Sequence, residues 1–129
     1  MFTGAARGEL QIRLPPRRRV MADPREPLVI SARREGTKAL LELEGELDLY
    51  ASPQLTSAVE DLLGDPPTQI EIDASGLTFA DSAGLRAFLV ARKDAETAGV
   101  ELRVTKVSEP LDRVLEMTGL RDVLGAPAA

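Results

Sequence analysis

Apolar and polar residues alternate along four stretches of this chain, and three others repeat their apolar residues every three to four positions. LVISAR (28–33) sets Leu28, Ile30 and Ala32 against Val29, Ser31 and Arg33. After the turn signal Glu35-Gly36-Thr37, a second run opens at Lys38-Ala39, with Ala39, Leu41 and Leu43 opposed to Glu42 and Glu44. A period of two predicts strands, and two strands joined by a short Gly-containing link predict a hairpin. Gly45 then interrupts the pattern. QIEIDA (69–74) alternates around Ile70, Ile72 and Ala74, and VELRVTK (100–106) around Val100, Leu102 and Val104.

The helical stretches carry end signals. SPQLTSAVEDLLG (52–64) places Leu55, Val59 and Leu62 on one face. Ser52 is its candidate N-cap, Pro53 suits the first helical position, and Gly64 can close it in the left-handed conformation. From Ser82, Leu85, Phe88, Ala91 and Ala95 share a face until Gly99. Ser108 caps a shorter helix with Leu111, Val114 and Leu115 as its stripe, ended by Gly119, and LRDVL adds one more turn. Strands that alternate have one wet face, so the helices belong together on the other. The predicted architecture is α/β: a mixed sheet of four or five strands with helices packed on one face.

Residues 1–27 hold four prolines and little periodicity, which reads as a flexible leader; 125–129 read as a loose tail. Charge follows the same division. Residues 1–21 carry five Arg (7, 13, 17, 18, 19) against Glu9, whereas eleven basic and twenty acidic residues follow from Ala22 onward. The acidic part would be repelled by nucleic acid, so no direct nucleic-acid partner is expected. MADPREP, from Met21, also reads as a start, which would place the Arg-rich run upstream of the native protein. No apolar run approaches the roughly 20 residues of a membrane span, and no secretory h-region is present, so a cytoplasmic location is expected.

Composition narrows the chemistry further. The chain has 129 residues, no cysteine and no histidine. Disulfides and thiolate catalysis are therefore impossible, and a Ser-His-Asp triad lacks its base. No metal or cofactor is expected. Against that background TFADSAGLRAF (78–88) stands out, with Ser82 directly after Asp81 at a predicted helix start. Ser82 is either an N-cap or a hydroxyl open to modification, and the two roles are compatible. A serine hydrolase is disfavoured because Ala80 stands where a nucleophile elbow needs glycine. Asp81 is either a loop residue holding backbone amides or part of a partner surface. Gly84, costly by ~1 kcal/mol in a helix turn, signals close approach by another backbone or a packing contact within the fold.

LEGELDLYASPQL, then LTFADSAGLRAFL some thirty residues on, then SEPLDRVLEMTGL, resemble a STAS domain of the bacterial anti-anti-sigma factor type over about residues 28–124. The resemblance implies the STAS fold and a partner-switching regulator rather than an enzyme. Unphosphorylated, such a domain binds an anti-sigma factor serine kinase and thereby releases an alternative sigma factor. The kinase phosphorylates the serine after the Asp, here Ser82, and a PP2C-type, metal-dependent serine phosphatase resets it. Carried over, Asp48, Tyr50, Asp81, Ser82, Gly84 and Leu85 form the partner-binding set. Ala83 replaces a second serine common in the family, leaving Ser82 the only hydroxyl of the motif. The alternative is a STAS interaction module of a transport, lipid-trafficking or signalling complex, in which Ser82 is silent.

Overall fold

The computed structural model describes residues 28–129; the predicted leader and the Met21 start lie outside the described residues. Four strands, β1 (Leu28–Glu35), β2 (Lys38–Leu47), β3 (Gln69–Ala80) and β4 (Glu101–Val107), form one sheet in the order β1-β2-β3-β4. β1 and β2 are the predicted antiparallel hairpin, turned at Gly36-Thr37, with Ile30 opposite Leu43. β2, β3 and β4 run parallel, so each parallel step requires a helical crossover. α1 (Ser52–Leu63) links β2 to β3, and α2 (Ser82–Thr97) links β3 to β4. α3 (Glu109–Thr118) and the single turn α4 (Arg121–Leu124) follow.

The alternation decides the layers. Ala39, Leu41, Leu43, Ile70, Ile72, Leu102 and Val104 are buried, and they meet the buried stripes Leu55/Val59/Leu62, Leu85/Phe88/Ala91/Ala95 and Leu111/Leu115. On the opposite face Arg33–Glu42 (3.8 Å), Lys38–Glu71 (3.3 Å) and Lys106–Asp73 (3.9 Å) pair across neighbouring strands. Such surface pairs contribute about 0–1 kcal/mol each, so the apolar layer, in which Phe88 is the largest fully buried side chain, holds the fold. Burial pushes the Asp73 carboxyl up, but the Ser75 hydroxyl and amide and the nearby Lys106 outweigh it and hold the group low. The stripe of β1 fades along the edge: Leu28 is buried, while Ala32 is exposed.

Several ends differ from expectation. The residue capping α1 is Ala51, not Ser52, and Gly64 closes that helix at φ −64°, right-handed rather than left-handed. Ser108 and Gly119 behave as predicted: the Ser108 hydroxyl accepts from the Leu111 amide, and Gly119 sits at φ 72°. β3 continues six residues past Ala74. Its pairing with β2 slips twice, between Glu42 and Glu44 and between Gly45 and Glu46, each time with an extra residue on β3. The buried positions therefore pass from Ala74 to Leu77 to Ala80, three apart, which hid a strand from a period-two reading. Gly45 lies at the second slip with φ 107°, a conformation other residues rarely adopt.

The C-terminal turn is tied down by one arginine. Arg121 meets the Asp112 carboxylate at 2.7 Å and the Glu116 carboxylate at 3.0 Å, and donates to the Pro127 carbonyl at 2.9 Å. The Arg121 hydrogen bond holds the Asp112 carboxyl below the usual carboxylate range. A carboxyl held low stabilises the folded state above its unfolded pKa and loses that contribution as pH falls through the lowered one. Thermal unfolding from pH 7 down to pH 2.5 should accordingly show Arg121→Gln less stable than the parent at neutral pH, with the gap closing in acid.

Candidate functional site

Leu47 and Ala80 are partners in the β2–β3 register, and each is the last residue of its strand. Asp48 and Asp81, the next residues, therefore leave the sheet side by side. Both carboxylates turn back onto their own chain. An Asp48 carboxylate oxygen accepts from the Ala51 amide at 2.9 Å, which shapes the turn before α1. An Asp81 oxygen accepts from the Gly84 amide at 2.9 Å. Asp81, extended at φ −122°, is thus the N-cap of α2. Aspartate suits that place, since it satisfies a free helix amide and sets negative charge at the positive end of the helix.

This corrects the reading of Ser82. With capping carried out by Asp81, Ser82 is the first residue of α2 and exposed. Among the described residues its hydroxyl makes no hydrogen bond. Ser52, expected to cap α1, instead donates to the Asp48 carbonyl at 2.6 Å and lies 3.2 Å from the Ala83 carbonyl. It pins the start of α1 to the start of α2, so the two loops form one surface.

Gly84 answers the question its position raised. A Cβ there would stand 2.5 Å from the Leu47 carbonyl oxygen and 2.9 Å from Leu47 Cγ. The close approach is internal: the first turn of α2 rests on the end of β2. Gly84 and Leu85, grouped with the partner-binding residues in the sequence reading, are both buried. Their place is beneath the surface, where they fix the height and angle of Ser82.

Next to the serine, and reaching it through Asp81, Glu46, Asp48, Leu49, Tyr50, Thr78, Phe79 and Asp81 line a shallow depression. Tyr50 is 87% exposed, Leu49 66% and Phe79 45%. Three large apolar side chains thus stand in water next to three carboxylates, an arrangement typical of a surface that another protein covers. Phe79 was not foreseen. It lies in the second half of β3, beyond the predicted strand 69–74, and the spacing Ala74-Leu77-Ala80 is the signal that could have found that extension. Glu46, Leu49 and Thr78 were likewise not singled out. Val90, off the buried stripe of α2, is exposed as well.

A family model described as "Mlab, STAS domain" matches residues 30–125. The chain belongs to the STAS-domain family. It is 31% identical over 80 residues to an anti-sigma-B factor antagonist of Staphylococcus aureus, an alignment covering 62% of this chain and 74% of that relative. Among solved structures, an anti-sigma factor antagonist from Mycobacterium paratuberculosis superposes with a TM-score of 0.71 at 18% identity, over 84% of this chain and 92% of the other. The Bacillus cell fate determinant SpoIIAA, in its phosphorylated form, gives 0.61 at 20% identity, over 78% and 91%. The family read from GELD, DSAGL and the α3 segment is borne out. So is the STAS fold, with four strands in its mixed sheet.

Proposed function

We propose that this STAS domain is an anti-sigma factor antagonist that acts by binding rather than by catalysis, in the cytoplasm. Unphosphorylated, it docks on a serine-kinase anti-sigma factor through the surface around Asp48, Tyr50, Asp81 and Ser82, and the kinase gives up its sigma factor. Transfer of a phosphoryl group to Ser82 ends the complex, and a PP2C-type phosphatase restores it. The observation that carries this reading is the state of Ser82: exposed, relieved of capping by Asp81, and set beside an apolar and acidic surface. The matched antagonists support the choice of partner class.

Magnitudes decide where the serine must sit. Driving a complex from mostly formed to mostly dissociated takes ~5.5 kcal/mol. A charge pair at a wet rim supplies only ~0–1 kcal/mol, whereas an unpaired charge inside an interface costs ~3–5 kcal/mol. Phosphate adds roughly −1.5 to −2 charge at neutral pH, next to carboxylates of the same sign. Ser82 therefore works as a switch only inside the contact area, and its neighbours Tyr50 and Phe79 supply apolar surface for such a contact.

Incubation with the host's anti-sigma factor kinase and ATP, followed by peptide mass analysis, should add the mass of one phosphate to the segment 78–92, and the Ser82→Ala variant should stay unmodified. Absence of modification by every such kinase of the host would instead favour an interaction module of a transport, lipid-trafficking or signalling complex.

A further inference from the structure

We infer that Arg86 is the internal receiver of a phosphate on Ser82, holding it against the first turn of α2; this rests on the proposed modification of Ser82. Both residues lie on α2, four apart, and both are exposed, while Gly84, Leu85, Ala87 and Phe88 turn into the core. Helix neighbours at that spacing have Cβ atoms about 5–6 Å apart, and long side chains lean back toward the helix N-terminus. The Arg86 side chain thus covers the turn that Ser82 opens. An anion four residues before a cation is also the favourable order on a helix.

The surroundings leave Arg86 to this role. The positions three and four residues away from it on α2 are Ala83, Leu89, Val90 and Ser82, none of them acidic. Arg92 and Arg113, by contrast, each have a glutamate at helical spacing, Glu96 and Glu109, and pair with it. Among the described residues Arg86 forms no ion pair or side-chain hydrogen bond. The charged groups lining the depression beside Ser82 are all acidic: Glu46, Asp48 and Asp81. They oppose the second ionisation of a phosphate there, and Arg86 favours it. A dianion with one guanidinium still carries negative charge into an acidic surface, so the switch keeps its sign. Arg86 fixes where that charge stands and keeps the phosphate doubly ionised nearer to pH 6, where a free phosphoserine is half protonated.

The test uses the full chain with phosphoserine installed at position 82 during translation, so that no kinase is needed, and follows the phosphorus resonance through a pH titration. In Arg86→Gln the second phosphate pKa should rise by roughly 0.3 unit relative to the parent, the size of a helical ion pair, and most of the difference should vanish in about 1 M salt. Arg86→Lys should restore most of the parent value. Identical titrations of the parent and Arg86→Gln would overturn the assignment. Kinase treatment of unmodified protein separately tests whether Ser82 is the acceptor, so one reading can fail without the other.

Discussion

Ser82→Asp should weaken binding to the cognate anti-sigma factor kinase by roughly 100-fold or more, while Ser82→Ala stays within a few-fold of the parent. The size follows from place. A carboxylate carried into the centre of an interface, beside Asp81 and Asp48, loses its water among like charges, at ~3 kcal/mol or more; each 1.4 kcal/mol is a factor of ten. The alanine variant removes only an exposed hydroxyl that is unbonded among the described residues. Neither change should disturb folding, because the cap of α2 rests on Asp81. Calorimetry of each variant against the kinase, with urea unfolding as the folding control, reads both expectations. Equal affinities for the two variants would place Ser82 outside the contact.

Gly84→Ala should destabilise the domain by about 3 kcal/mol, the upper end of what overpacking costs. Alanine is ordinarily the better helix former by ~1 kcal/mol, so propensity alone predicts the opposite sign. Contact decides against it. The added methyl would stand 2.5 Å from a backbone oxygen at the end of β2, and a strand carbonyl cannot swing away as a flexible side chain can. Relief requires lifting the first turn of α2, which also moves Ser82 and strains the Ser52 bridge to Ala83. Urea denaturation should show the loss in stability. A variant within about 0.5 kcal/mol of the parent would mean that α2 does not rest on Leu47 as described.

Much of this architecture was legible because local and long-range preferences agree. Alternation around Leu41, Ile72 and Val104 gave the strands and their wet face, and the stripes of α1, α2 and α3 gave the layer that covers them. Punctuation was legible where chemistry is specific, as at Ser108 and Gly119. It failed where two good caps compete: Asp81 and Ser82 both suit an N-cap, and the extended backbone of Asp81 lets its carboxylate reach the Gly84 amide first. At α1 the Ser52 hydroxyl donates to the Asp48 carbonyl before the helix and faces the Ala83 carbonyl of α2, so it does not cap. The second half of β3 was hidden for a different reason. Its two slips replace a period of two by a period of three, so Leu77 is buried where the alternation from Ile70, Ile72 and Ala74 would turn it outward. The motif pointed to the right neighbourhood, but burial alone separates Gly84 and Leu85, which support the surface, from Tyr50 and Phe79, which form it.

The switch itself is tested most directly by titrating the cognate kinase with this chain in two forms that differ by one phosphoryl group on Ser82. The unmodified form should bind, and the phosphorylated form should bind at least roughly 100-fold more weakly. Equal binding by the two forms would contradict the account, however well the fold holds.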